Sequence, residues 1–381
     1  MALSFISKYT FLFLTLSHAI ASFSAQTSRE TLGQRLFFDP ILSLSKTQSC
    51  ATCHDPSAAF VDKRKNISHS AGSLGHDGRL IGDRNTPTAT YANQTPRFHI
   101  NKKGEYIGGM FWDGRELGLK EQAGGPPLNP IEMAMPDIET IANRLKEDSA
   151  YQESFIELFG EHVFESADTT YDAIKESIAA FESTDVFSPF DSKYDKYLNG
   201  EYELSEQEEL GMTLFFSQQF TNCNECHLLN KRPLTAKETF TDYRYHNIGV
   251  PENTLLRAVN NSEPGFVDTG LLNNPSVSDQ KQKGKFKTPT LRNIAITAPY
   301  MHNGVFQELE TVIAFYNQYN SKNPKNQINP ETKKAWKKPE VSENLALDEL
   351  KKGAALDQQR IDALVAFLKL LTDKRYETKI K

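Results

Sequence analysis

Cys50-Ala-Thr-Cys53-His54 and Cys223-Asn-Glu-Cys226-His227 contain all four cysteines of the 381-residue chain. In each stretch the thiols are three positions apart and a histidine follows at once. That spacing lets two thiols add to the vinyl groups of one haem while the neighbouring imidazole reaches its iron, so attachment and ligation come from one short segment. A disulfide would explain the paired cysteines but not the histidines, and zinc or redox-active CxxC pairs fit poorly with an exported chain that repeats the motif in context. The expected cofactors are two covalently bound c-type haems, held by Cys50, Cys53, Cys223 and Cys226, with His54 and His227 as proximal ligands.

Working outward, the segments before the motifs also repeat. Leu32-Gly-Gln-Arg-Leu-Phe-Phe38 precedes the first and Leu210-Gly-Met-Thr-Leu-Phe-Phe216 the second. Each reads as a short helix packing Leu and Phe on a haem edge. The fold class is therefore mainly α: two cytochrome c-like haem domains with long loops and few strands. Helical spacing runs over Ile138–Phe159 and Tyr171–Thr184, and Ser188–Gly200 reads as a connecting stretch. The region from the second motif to about Pro289 is rich in Gly, Asn and Pro and reads as loops over a buried cofactor. Leu309, Val312, Ile313 and Tyr316 give the helix Glu308–Tyr319 one inward face. Asn320–Gly353 reads as a polar surface excursion, and a last helix runs from Asp357 to Leu371. The expected boundaries are 1–21, 22–198 for the N-terminal haem domain, 199–335 for the C-terminal haem domain, and 336–381 for a surface loop and a helix packing back on the N-terminal domain.

Lys8, the apolar run Tyr9–Leu16 and the small-residue pattern Ala19-Ile20-Ala21 read as a cleaved signal peptide, with a mature start near Ser22 and the periplasm as destination. No later stretch approaches the ~20 apolar residues that cross a bilayer, so membrane association is at most peripheral. The formal charge is −6, which gives no electrostatic reason to bind nucleic acid.

Phe111-Trp-Asp-Gly-Arg115, Arg84-Asn-Thr-Pro-Thr88 and Pro289-Thr-Leu-Arg-Asn-Ile-Ala-Ile-Thr-Ala-Pro-Tyr-Met-His-Asn-Gly304 resemble the bacterial di-haem cytochrome c peroxidase and MauG family, and the likeness spans Leu32 to Tyr319. The resemblance implies that the N-terminal haem reacts with hydrogen peroxide and the C-terminal haem passes or stores electrons. Trp112 matches the tryptophan that relays electrons between haems. Gln122 and Glu132, ten residues apart, match the polar pair on the open side of the peroxide-reactive haem, where a carboxyl moves a proton between peroxide oxygens and an amide orients the bound species. Pro126 or Pro127 would pack against that open face. Asn85, with the carbonyls of Thr297 and Pro299, matches a calcium site whose hard oxygen donors suit that ion.

In the family's peroxidase branch a methionine ligates the second haem fourteen residues after the histidine of Pro-Tyr-x-His-x-Gly; here that position is Tyr316, as in MauG-like members. A tyrosinate oxygen favours higher oxidation states of iron than a thioether sulfur does. Met301 is the alternative ligand. His69, His76 and His99 precede Trp112, where some peroxidases carry a blocking histidine; none aligns with it, so the first haem is expected to be open or weakly ligated at rest, with His76 in its glycine-flanked loop the residue that could occupy the site. His246 and His302 match positions near the second haem. Three other readings remain: an ordinary cytochrome c peroxidase fed by a small cytochrome or cupredoxin, a non-catalytic carrier, and a zinc scaffold. The partners implied are hydrogen peroxide and an electron donor or protein substrate, with a homodimer left open.

Overall fold

The computed structural model describes residues 27–229 and 234–380; the expected signal peptide lies outside them. The helices are short and locally encoded. α1 (Arg29–Phe38) opens on a capping box in which Ser28 and Thr31 exchange hydrogen bonds, and it ends at Asp39 before Pro40. α2 (Ile138–Glu147) and α3 (Ser149–Phe159) divide the single stretch of helical spacing seen in the sequence. The break has a local cause: the Asp148 carboxylate accepts from the backbone N–H of Ala150 and Tyr151 (both 3.1 Å) and so starts a new helix. α4 (Ala167–Glu182) buries Tyr171, Ile174, Ile178 and Phe181 along one face. Together with α1 these helices enclose an N-terminal core around Phe37, Phe60, Phe155 and Phe187.

The second core repeats the plan. α5 (Glu206–Phe216) starts with Ser205 and Glu208 in a capping box and three glutamates in its first turn, which suit the positive end of the helix dipole. It packs with α6 (Leu309–Asn317) and α7 (Gln358–Lys369) around Phe215, Phe240, Phe315 and Phe367. α7 thus lies on the C-terminal core, unlike the expected return to the N-terminal domain. The tail beyond it makes that crossing, where the Tyr376 hydroxyl donates to the Pro56 carbonyl at 2.8 Å.

Two other expectations are corrected. The stretch Ser188–Gly200 contains a helical turn, Lys193–Leu198, because Ser192 and Asp195 cap it reciprocally and Tyr194 enters the second core. The segment 320–353 is not wholly superficial: Val341 and Leu350 are buried, and Asn247 donates from its side chain to the carbonyls of Val341 (3.0 Å) and Glu343 (2.7 Å). Strands among the described residues are as few as expected, two antiparallel pairs of two residues each, His99–Ile100 with Tyr106–Ile107 and Tyr245–His246 with Phe286–Lys287.

The repeated Leu-Gly of the sequence has a packing reason. α1 crosses α4 at Gly33, where an added Cβ would sit 1.8 Å from the Ser177 carbonyl oxygen, and α5 crosses α7 at Gly211, where it would sit 1.9 Å from that of Ala363. The neighbours are backbone, so the helices must separate to admit a methyl group. Gly33→Ala and Gly211→Ala should each cost about 1–3 kcal/mol. Thermal unfolding would show this as lowered midpoints, against Gly82→Ala as control, where a methyl meets nothing nearer than 3.9 Å; equal midpoints in all three would show that the crossings are not tight.

Candidate functional site

Both CxxCH motifs fold as one tight turn. Ser49 caps Cys50–Cys53, and the His54 N–H donates to the Cys50 carbonyl at 2.9 Å; the His227 N–H makes the same 2.9 Å bond to Cys223. Winding puts Cys53 and His54 of the first motif, and both cysteines and the histidine of the second, on a common cavity, while Cys50 packs against the N-terminal core. His54 Nδ1 lies 2.9 Å from the Phe60 carbonyl and His227 Nδ1 3.1 Å from that of Phe240. A carbonyl can only accept, so each Nδ1 carries the proton and each Nε2 keeps a free lone pair, as an iron ligand requires. All four cysteines are unpaired with one another. Burial pushes the Cys50 thiol up and, despite Arg64 nearby, that of Cys53 up to about 11, the reverse of the lowered thiol that a redox-active CxxC pair uses.

One cavity of about 790 Å³ runs past both motifs. Cys53, His54, Cys223, Cys226 and His227 line it, as do Trp112, Gln122, Glu132, Asn85, Thr297, Pro299, Met301 and Tyr316. The structure thus brings these sequence-predicted residues to one interior space, and Cys50, packed against the N-terminal core, is not among its lining residues. Five residues of that lining, Glu182, Tyr243, His302, Asn320 and Glu340, carry buried polar atoms without a hydrogen-bond partner among the described residues. A lining with paired thiols, bare imidazole nitrogens and unpartnered polar atoms fits a large cofactor with its own polar groups.

Gln122 comes from the short helix Leu119–Ala123, and Glu132 from the turn after Gly125–Leu128. Asn129 Nδ2 donates to Glu132 Oε1 at 2.9 Å. Burial raises the Glu132 pKa and outweighs Arg115 and Asn129, which act the other way. Pro126 lines the cavity, whereas Pro127 is buried in the wall. Trp112 is clamped on two sides: its Nε1 donates to the Asn85 carbonyl at 2.8 Å, and its own carbonyl accepts from the Lys287 N–H at 2.9 Å. The Asn85 side chain makes no hydrogen bond among the described residues.

Tyr316 projects from α6 beside the second motif. Its hydroxyl has no partner among the described residues, and burial, with the charges of Cys226 and Cys223, raises its pKa. Met301 lines the same cavity. His76 does not: its Nδ1 lies 2.9 Å from Ser45 Oγ, because its N–H is tied to the Glu132 carbonyl on the outer side of that loop. His69 and His99 are exposed. His302 stacks on Phe286 at 3.5 Å, and His246 Nε2 lies 3.2 Å from Asp242.

Sequence reasoning missed three charged elements of this lining. Arg84 binds Asp268 through two nitrogens (2.7 and 2.8 Å) and Asp113 through a third (2.7 Å). Lys287, buried, donates to the Gly109 carbonyl, and burial pushes its pKa down to about 8 although Asp113 opposes the shift. Glu182 ends α4 against the first motif. The amphipathic pattern of α4 was a signal for Glu182, since the residue after Phe181 falls at the edge of its buried face.

Residues 27–203 match the family model described as di-haem cytochrome c peroxidase. The chain is 51% identical over 353 residues to the methylamine utilization protein MauG of Paracoccus denitrificans (strain Pd 1222), across 93% of this chain and 90% of that protein. It is 34% identical over 286 residues to the cytochrome c551 peroxidase of Nitrosomonas europaea, across 74% of this chain and 70% of the other. Among solved structures it resembles the diheme peroxidase BthA from Burkholderia thailandensis E264, with a TM-score of 0.80 and 29% identity, across 93% of this chain and 88% of that one. The chain belongs to the di-haem cytochrome c peroxidase and MauG family. It is accordingly a di-haem oxidoreductase of the c type that uses hydrogen peroxide.

Glu182 yields a pH prediction. Burial raises its pKa from 4.5 to about 8, so the folded protein holds this proton more tightly than the unfolded chain. Stability is therefore lost as pH rises from the ordinary value to about 8 and stays level above it. Glu182→Gln should match the wild type at pH about 4.5 and exceed it increasingly up to about 8, measured by urea unfolding of the two-haem protein; a difference independent of pH would contradict the assignment.

Proposed function

We propose that the chain is an exported, periplasmic MauG-like enzyme in which peroxide reacts at the N-terminal haem and an external donor, a side chain of a partner protein, is oxidised through Trp112 and the C-terminal haem. The observation that carries this reading is Tyr316, a tyrosine with an unpartnered hydroxyl in the cavity beside the second CxxCH. Export rests on the sequence pattern of the first 21 residues, and no described helix is long and apolar enough to cross a membrane.

In this reading His54 and His227 would hold the two irons as proximal ligands, and Tyr316, which lines the same cavity as His227, would supply a further oxygen ligand to the second. When bound, haem supplies the iron at which peroxide is cleaved and the macrocycle that holds oxidising equivalents. The protein's own work is positional and protonic. Glu132, kept out of bulk water, takes a proton from one peroxide oxygen and returns it to the other; the Asn129 bond fixes the carboxyl for that exchange. The Gln122 amide orients the bound species, and Pro126 narrows the space around it. Trp112, fixed at both its indole and its carbonyl, offers an aromatic relay that cannot swing away. Arg84, Arg115 and Lys287 supply positive charge along the lining that suits haem carboxylates. Asn85 with the Thr297 and Pro299 carbonyls would hold calcium, and the free Asn85 side chain supports that set.

A cytochrome c peroxidase role is the second reading, favoured by the likeness to the Nitrosomonas enzyme. Steady-state turnover with reduced cytochrome c separates the two: a negligible rate supports the MauG-like role, and rapid peroxide-dependent turnover supports the peroxidase.

Two outcomes test the residue assignments. Glu132→Gln, with both haems retained, should slow the spectral response to one equivalent of peroxide by roughly 10²–10⁴-fold; an unchanged rate removes Glu132 from proton transfer. Tyr316→Met should abolish oxidation of a partner side chain and raise the reduction potential of the second haem. Partner oxidation that survives Tyr316→Met would take away the main support for the MauG-like reading.

A further inference from the structure

A path of aromatic rings, one backbone hydrogen bond and one guanidinium runs from Phe60, beside His54, to Phe240, beside His227. Phe60, whose carbonyl holds His54, packs on Phe187 at 4.3 Å between centroids. The Phe187 carbonyl accepts from the Tyr91 N–H at 2.9 Å. Tyr91 meets Phe190 edge-on at 4.8 Å, and the buried Arg292 guanidinium sits 5.4 Å from the Tyr91 ring and 5.4 Å from the ring of Phe240, whose carbonyl holds His227. Tyr91 itself lines the cavity and is 1% exposed.

Among the described residues of that lining, Tyr91 is the tyrosine whose hydroxyl reaches a carboxylate. It donates to Asp373 Oδ1 at 2.5 Å and accepts from the Phe190 N–H at 3.2 Å. Asp373 is wholly buried, and Asn293 anchors it with a 2.8 Å bond to Oδ2 and a 2.9 Å bond from the Asp373 N–H. By contrast, Tyr300 donates to the Ile294 carbonyl, which cannot take up a proton, and the Tyr243 hydroxyl has no partner among the described residues. The chemistry of phenol makes this difference matter. A phenol that loses an electron becomes a strong acid, and Arg292 beside the ring disfavours a cation there, so oxidation is feasible only with a base in hydrogen-bond contact.

On this ground, and resting on the peroxide chemistry proposed above, we infer that Tyr91 is a reversible one-electron oxidation site that takes up an oxidising equivalent when no external donor is bound. The Tyr91 O–H bond breaks, its proton forms an O–H bond with Asp373 Oδ1, and its electron goes to the haem pair, which peroxide has oxidised by two electrons; the second equivalent stays on the haems. The resulting phenoxyl is neutral and keeps the hydrogen bond from Phe190. Return of an electron brings the proton back, so the site stores an equivalent without covalent damage.

The two-haem protein should be mixed with one equivalent of peroxide without donor, frozen at intervals and examined by electron paramagnetic resonance. The expected result is a tyrosyl signal that narrows when ring-deuterated tyrosine is incorporated, is lost in Tyr91→Phe and in Asp373→Asn, and persists in Tyr300→Phe. If Tyr91→Phe does not load both haems, fluorotyrosine at position 91 should instead split the signal. Haem spectra that respond to peroxide with no tyrosyl signal, or a signal unaltered by both changes at position 91, overturn the inference alone. Haem spectra that do not respond to peroxide overturn it together with the proposed function.

Discussion

The guanidinium of Arg84 is the point on which the interior depends. Asp268 comes to it from the C-terminal half of the chain and Asp113 from the Trp112 loop, so one planar cation fastens three segments that sequence keeps far apart. Its carboxylate partners are almost completely buried. Removing one member of such a set strands the others in a medium of low polarity, at a cost of about 3–5 kcal/mol. The geometry also governs its neighbours. Asn85, next in sequence, donates its N–H to the His302 carbonyl at 2.7 Å and accepts from the Trp112 indole. The positions of Trp112, Asn85 and His302 are thus consequences of one ion cluster.

Around that cluster the chain builds one plan twice. Each half has a capped helix carrying Leu-Gly and Phe-Phe, a partner helix crossing at the glycine, and a CxxCH turn backed by a phenylalanine carbonyl. What differs is the wall opposite each histidine. In the first half the cavity lining holds Gln122, from the short helix Leu119–Ala123, and Glu132, from the turn after Gly125–Leu128; in the second a helix presents Tyr316. Two copies of a scaffold have been given different openings.

How much of this was legible in the sequence follows from how locally each feature is encoded. The CxxCH turns and the inward face of α6 each lie within a few consecutive residues, and each was readable; the capping boxes at Ser28 and Ser205 are as local but were not read. Gln122, Glu132 and Asn85 were found through a resemblance rather than from pattern, since nothing in their own neighbourhoods separates them from surface polar residues, whereas for Tyr316 the pattern gave the inward face and the resemblance the role. Contacts between distant segments were not readable at all: Arg84 with Asp268 across 184 positions, and Tyr91 with Asp373 across 282. The misreadings had local causes. Asp148 is a mid-pattern residue whose side chain starts a helix, and the polar stretch 320–353 conceals Val341 and Leu350 among lysines.

The hydrogen bonds behind the two histidines have a further consequence. A carboxylate in that position would make an imidazole a stronger electron donor to its metal; a backbone carbonyl does much less. His54 and His227 both face carbonyls, at 2.9 and 3.1 Å. On the proposed ligation, neither iron then receives a special push from behind, and any inequality between the two must be imposed from the front. The thermodynamic bias of the pair is therefore set in the half of each pocket that varies, while the half that is repeated stays neutral.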